Sequence, residues 1–179
     1  MTGYAVWHYD ARRMRHHLVI LHAQYLARIL DGRKRIECRL SAVRRAPFQT
    51  VKPGDLLWIK LPSKGVAAVA VAGRCQFREV RSQAGLARAL RGHRAAIAAD
   101  PGFLRDRSRG ARFLTLIWIR SIVEISSFAV QKRDQRAWVT LTRPPRPGAR
   151  IDSVPADRIK VRTELPVRKR RRPRRRQPG

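Results

Sequence analysis

The hydrophobic pattern changes from helical to alternating over residues 23–40. Apolar residues recur at helical spacing up to Asp31, and this periodicity predicts a helix over residues 23–31. Gly32 stands where a helix C-terminal glycine belongs, because glycine adopts the left-handed backbone conformation without steric cost. Apolar and charged residues then alternate over residues 35–40, which is typical of a half-buried strand. We therefore expect a helix-to-strand corner at Lys34.

The same periodicity divides the rest of the chain into short elements. The predicted strands span residues 17–22, 56–61, 66–80, 113–123 (with a possible continuation at 128–130) and 138–141. Leucine and alanine at helical spacing predict helices over 86–99 and 103–107. Gly73 is a predicted bulge or bend, and Pro53-Gly54-Asp55 is a predicted turn. Together these elements predict an α+β domain, a small β-barrel with flanking helices.

Charge predicts a polyanionic partner. The formal net charge is +29, and residues 167–179 carry eight basic and no acidic residues, which leaves +21 on residues 1–166. A charge of this size predicts attraction to nucleic acid, with RNA the expected partner. We divide the chain into a lead-in (1–15), a domain (16–142) and a Pro/Arg-rich basic tail (143–179). The tail is expected to be disordered when free and to grip phosphates; a localisation signal or a solubilising segment are alternatives.

Several other classes of function lack support in the sequence. Cys38 and Cys75 are expected to be buried free thiols in a reducing compartment. No Cys/His cluster with metal-ligand spacing is present, so we expect neither a metal nor a cofactor. The longest apolar run, Val66 to Ala72, is far short of a membrane span, so we expect a soluble protein. An anionic membrane surface ranks second to nucleic acid among the partners that the charge favours, and we expect no membrane partner. We predict a cytoplasmic protein; its oligomeric state is not indicated.

Basic residues around the corner form the candidate site. The residues predicted to bind nucleic acid are Lys34, Arg35, Arg39, Arg44, Arg45 and Lys52. Arginine gives directional phosphate contacts, whereas lysine acts as a point charge. Trp7, Phe48 or Trp58 could stack on an unpaired base, although each also suits the core. In the competing interpretation, the charges near Glu37 are surface ion pairs of little energetic weight.

These residues carry a resemblance to a known family. The sequence resembles the ASCH domain family, whose members have a PUA-like β-barrel and a Gly-x-Lys-x-x-Glu-x-Arg motif. That motif is complete here as Gly32, Lys34, Glu37 and Arg39. The strand and helix before it, the Pro-Gly-Asp turn after the basic loop, and residues 132–139 also match the family's order. The resemblance covers residues 16–142 and implies binding of RNA or a modified base.

The resemblance also implies an enzymatic alternative, a hydrolase that acts on RNA or a modified nucleoside through Lys34 and Glu37. Some members are described as ribonucleases, and one branch removes the acetyl group of acetylated cytidine. That branch uses the motif lysine, a threonine three residues later and a distant glutamate. Lys34 matches the lysine, but Glu37 occupies the threonine position, and Glu79 and Glu124 are both candidates for the glutamate. A scaffold for a protein partner is a third interpretation.

Overall fold

The computed structural model describes residues 14–133 and 135–151. Most of the lead-in, with Trp7, and the tail from residue 152 onwards lie outside the described residues. Within them the elements are, in chain order, β1 (His16–Ile20), α1 (Ala23–Leu30), β2 (Ile36–Ser41), β3 (Leu56–Lys60), β4 (Val66–Glu79), α2 (Gln83–Leu90), α3 (Arg94–Ile97), α4 (Pro101–Ser108), β5 (Phe113–Phe128), β6 (Gln131–Lys132), β7 (Trp138–Leu141) and β8 (Arg150–Ile151).

One curled sheet forms the body of the molecule. Its six strands lie in the order β2-β5-β4-β3-β1-β7. The β1–β3 pair is parallel, and the other four pairs are antiparallel. The sheet forms a half-barrel whose two edges are β2 and β7. This architecture confirms the predicted α+β class, with a curled half-barrel sheet and few helices.

The helical region after β4 differs from the prediction. A single helix over 86–99 was expected, but α2 and α3 are separated by a 3-10 turn, Arg91–His93. Gly92 lies in that turn, and glycine is a poor helix former. The helix α2 also begins at Gln83, three residues before the predicted start. The Ser82 hydroxyl accepts a hydrogen bond from Gly85 N (3.1 Å) and caps its N-terminus.

The strands β4 and β5 form the longest ladder in the sheet. β5 runs without a break to Phe128, where it pairs with Val66, so the strand is longer than the predicted range of 113–123 and includes the start of the continuation considered at 128–130. The register shifts between Ala72 and Cys75, which confirms the bulge expected at Gly73. A side chain at Gly73 would place its Cβ 3.1 Å from the Trp118 carbonyl oxygen, so the close approach of the strands favours glycine.

The apolar side chains of β1, β3, β4 and α1 pack inside the curl of the sheet. Packing continues beyond residue 143, since β8 pairs with β6 and Ile151 is buried beside Leu18 and Val139. The boundary between domain and tail that we expect near residue 143 stays a prediction. None of the helices in residues 14–133 and 135–151 is long and apolar enough to cross a membrane.

Candidate nucleic-acid interface

A cleft of about 690 Å³ lies between the sheet edges β2 and β7 and is flanked by α1 and α4. Its volume is within the range of small-molecule and cofactor sites. Its charged and aromatic lining residues are His22, Tyr25, Lys34, Glu37, Arg39, Arg44, Arg45, Phe103, Arg107, Arg136 and Trp138. Among the described lining residues, Glu37 is the one carboxylate.

The corner predicted at Lys34 positions the floor of this cleft. Gly32 has φ +78°, the left-handed conformation expected from its place after α1. The backbone N–H of Lys34 then bonds to the Arg28 carbonyl (2.6 Å), and that of Arg35 bonds to the Ala96 carbonyl (2.7 Å). These two bonds fix the corner, with the Lys34 side chain buried and the Arg35 side chain exposed.

The Lys34 ammonium has an acceptor for each of its three N–H donors. Nζ donates to the carbonyls of Ile36 and Ile97, both at 2.9 Å, and lies 3.1 Å from Glu37 Oε2. The side chain is 4% exposed, and its charge also lies 5.7 Å from the centre of the Tyr25 ring. Lys34 therefore joins the corner to β2 and α3 through a fully occupied set of hydrogen-bond donors.

Glu37 is buried between two cations. Its Oε2 faces Lys34, and its Oε1 lies 2.7 Å from Arg39 Nε. Burial alone would raise the pKa of Glu37, but the charges and hydrogen bonds of Lys34 and Arg39 outweigh it and hold this pKa below its ordinary value. The carboxylate therefore stays ionised at neutral pH and is poorly suited to donate a proton.

Arg39 bridges the two edges of the sheet. From β2 its Nη2 donates to the Ile20 carbonyl at the end of β1 (3.0 Å), and its Nη1 lies 3.4 Å from the Ala137 carbonyl just before β7. The guanidinium also lies 5.4 Å from the centre of the Trp138 ring. In the part of the chain that the structure describes, no strand pairing joins β2 to β7. The hydrogen bonds of the Arg39 side chain therefore connect the two sides of the sheet where backbone pairing does not.

His17 forms a buried hub behind the cleft. Its Nδ1 accepts from Trp138 Nε1 (3.2 Å) and lies 3.2 Å from Thr140 Oγ1, and its Nε2 lies 3.0 Å from Asp55 Oδ2. Since the indole can only donate, Nδ1 is the acceptor and Nε2 carries the proton that Asp55 accepts. Asp55 also accepts from the backbone N–H groups of Arg15 and Lys52. The hub connects β1, β7 and the start of β3.

The outer wall of the cleft is α4, which is tied to α1 through Asp100. The Asp100 carboxylate accepts from Arg28 Nη2 (2.8 Å), Tyr25 Oη (3.2 Å) and Gln24 Nε2 (2.9 Å). The hydrogen bond from Arg28 is the main reason that the pKa of Asp100 lies below its ordinary value. From this anchored end, α4 projects Phe103 and Arg107 towards the cleft.

The structure brings together five of the seven candidate site residues. Lys34, Glu37, Arg39, Arg44 and Arg45 line the cleft. Arg35 and Lys52 are exposed and do not line it. The nucleic-acid-binding and catalytic roles assigned to these seven residues stay predictions.

Two further groups of sequence candidates lie away from the cleft. Neither Glu79 nor Glu124 lines it, and Glu79 instead pairs with Arg44 on the surface (2.9 Å). Phe48 is buried against Phe77 and Phe113, and the half-buried Trp58 donates to His16 Nδ1 (3.1 Å). These two aromatics therefore serve packing.

Sequence reasoning missed the residues that reach the cleft from distant segments. They are Tyr25 from α1, Phe103 and Arg107 from α4, Arg136 from the segment before β7, and Trp138 and Thr140 from β7. A signal was present for α4, because Phe103 and Arg107 are four residues apart and share a helix face. Nothing in the periodicity of β7 indicates what its side chains face.

Comparison with solved structures shows an ASCH-like fold. The ASCH protein of Zymomonas mobilis is 18% identical over 64% of this chain and 73% of that chain, with a TM-score of 0.51. A single-residue mutant of the same protein gives the same identity, coverage and TM-score. No protein-family model matches the sequence, and no curated protein matches it. The likeness at this identity concerns the fold.

Proposed function

We propose that this chain, with its ASCH-like fold, binds RNA through the cleft between β2 and β7. The observation that carries the proposal is the convergence of arginines from separate elements. Arg45 comes from the loop after β2, Arg107 from α4 and Arg136 from the segment before β7. Arg39 adds its charge, although its N–H groups already face Glu37 and the Ile20 carbonyl. Guanidinium groups arranged around a concave surface suit phosphate, because each offers paired N–H donors that match its oxygens.

The electrostatics of the cleft support an anionic ligand. The charge of Glu37 is already offset by Lys34 and Arg39, so the field at the rim is positive. The whole chain, with a net charge of +29, would attract RNA over a longer range and speed its association. An RNA partner also agrees with the cytoplasmic localisation expected from the sequence.

The geometry of Lys34 and Glu37 favours binding over acid–base catalysis. For Lys34 to act as a nucleophile or base, its amine needs a free lone pair, yet its N–H groups are directed at two carbonyls and a carboxylate. Glu37 is held in its ionised form. This pair serves as the charged floor of the cleft and keeps the corner in place.

A pair of matched double variants tests the proposal on the full-length chain. Arg44→Ala/Arg45→Ala removes two charges from the cleft, and Arg35→Ala/Lys52→Ala removes two charges from outside it. Both variants keep the basic tail, so its contribution is the same in each. Labelled RNA is titrated over a range of salt concentrations, with intact RNA verified on a denaturing gel.

We expect the cleft variant to bind RNA more weakly than the outside variant. Its slope of log affinity against log salt should fall by about 0.7 for each phosphate that the variant no longer neutralises. Equal weakening by both variants would show that affinity follows total charge, and the proposed site would be rejected. If the wild-type chain cleaves or chemically alters the RNA and Lys34→Ala abolishes that change, the enzymatic alternative replaces the binding proposal.

A further inference from the structure

We propose that α4 carries a stacking platform for one unpaired base, with Phe103 beneath the base and Arg107 on the adjoining phosphate. The inference rests on the proposed RNA binding and narrows its ligand to single-stranded RNA. It assigns a role to a helix that the family motif does not include.

Phe103 is not explained by core packing. It is 40% exposed although it lines the cleft, and none of the residues of α4 is fully buried. A phenyl ring left this exposed gains only part of the free energy that full burial would give it. A flat apolar ring at the mouth of a positively charged cleft is the arrangement by which single-strand binders hold a base.

The ring is held in place from one side. The Tyr25 ring lies 5.6 Å from that of Phe103 at an interplanar angle of 49°. Tyr25 is itself buried, and its hydroxyl donates to Asp100 at the N-terminal end of α4 (3.2 Å). The platform is therefore preorganised, which lowers the entropic cost of ordering it when a ligand binds.

Arg107 supplies a cation at the platform. It lies one helical turn after Phe103, and its guanidinium lies over that ring, 5.3 Å from its centre. A base that takes the place of the guanidinium on the ring would bring its own phosphate within reach of the displaced Arg107 side chain. In a duplex the faces of the bases are stacked inside the helix, so a paired strand cannot use the platform.

The test uses the full-length chain, a short single-stranded RNA that contains 2-aminopurine, and a duplex of the same sequence. Phe103→Ala removes the ring, and Phe103→Tyr keeps it. Val123→Ala is the matched control, since Val123 is exposed in β5 and does not line the cleft. Arg107→Ala is paired with Arg105→Ala, a change of equal charge on the same helix outside the cleft. Thermal unfolding is recorded for each variant.

We expect Phe103→Ala to weaken single-strand binding roughly ten-fold and to abolish the fluorescence change of the stacked base. Phe103→Tyr should retain both the single-strand affinity and the fluorescence change. Duplex binding should be the same in all the Phe103 variants. Arg107→Ala should weaken single-strand binding more than Arg105→Ala. If Phe103→Ala behaves like Val123→Ala while the Arg44/Arg45 variant still loses affinity, the platform is rejected and the RNA-binding cleft stands. If the wild-type chain binds neither RNA, both proposals are rejected.

Discussion

Arg39 and Ile20 are joined by a hydrogen bond of 3.0 Å that crosses from one edge of the curled sheet to the strand next to the other. The same guanidinium reaches towards the Ala137 carbonyl and lies over Trp138. One side chain of the Gly-x-Lys-x-x-Glu-x-Arg motif thus links the two sides of the half-barrel, whose edges β2 and β7 are not paired within residues 14–133 and 135–151. This relationship ties the motif to the shape of the cleft.

Replacing Arg39 should therefore affect stability as well as binding. Arg39→Ala is expected to lower the free energy of unfolding by about 2 kcal/mol, the scale of hydrogen bonds made by a charged group. Arg39→Lys keeps the charge but lacks the planar fork, so it should recover only part of the loss. Urea unfolding measures the change. Full recovery by lysine would mean that charge alone, without the bridging geometry, maintains the cleft.

Glu37 should make stability depend on acid pH. Because the native pKa lies below the ordinary value near 4.3, its contribution is complete above that value and is lost as pH falls through the lower native pKa. At pH 7, Glu37→Gln should lower the free energy of unfolding by about 3 kcal/mol, since it leaves the Lys34 charge buried without its partner.

The comparison with wild type across pH isolates the carboxylate. The difference in unfolding free energy between wild type and Glu37→Gln should narrow as the pH drops below about 4.3. The double variant Lys34→Met/Glu37→Gln removes both charges and should be more stable than Glu37→Gln alone. A constant difference from pH 7 down to acid unfolding would contradict the ion-pair account.

The two neighbouring histidines should differ in their importance for folding. His17→Ala leaves the Trp138 indole N–H without its buried acceptor and removes one of the hydrogen bonds to the Asp55 carboxylate, which keeps those from the backbone N–H groups of Arg15 and Lys52. We expect a loss of about 3 kcal/mol of unfolding free energy. His16→Ala, on a half-buried side chain that bonds only to Trp58 among the described residues, should cost less. Thermal or urea unfolding of the two variants measures the loss of unfolding free energy in each. Equal losses would show that the hub carries no special weight.

Both cysteines should be slow to react in the native protein. Burial raises the pKa of the Cys38 thiol to about 12, with the Glu37 charge adding to it, and raises that of Cys75 to about 11. At pH 8 almost no thiolate is present, and the thiolate is the reactive form. Alkylation followed by mass spectrometry should show slow modification of the folded chain and fast modification in denaturant. Rapid labelling of Cys38 in the folded state would mean that the cleft wall opens readily.

Local features of the fold were predictable because they depend on local chemistry. Gly32 and Gly54 adopt positive φ where a helix end and a turn were expected. The helix-to-strand corner follows from a change in hydrophobic period that is visible in the sequence. The break between α2 and α3 was missed because leucine and alanine keep their spacing across Gly92, and periodicity does not register a local change of backbone.

Membership of the cleft was less predictable. Alternation from residue 35 placed Arg35 on the same face as Glu37 and Arg39, but β2 begins at Ile36 and the corner sets the direction of Arg35 instead. Phe103 and Trp138 reach the cleft from segments far along the chain. Such convergence depends on the curl of the whole sheet, and no window of sequence contains it.

The open junction between β2 and β7 has a consequence for how this fold can change. The two edges meet through side chains, so the space between them can be reshaped without disturbing any backbone pairing of the sheet. Substitutions at the rim, on α4 or in the basic loop would alter what fits while the framework keeps its stability. Because side chains form the junction between β2 and β7, point substitutions there can change which ligand binds while the backbone architecture stays the same.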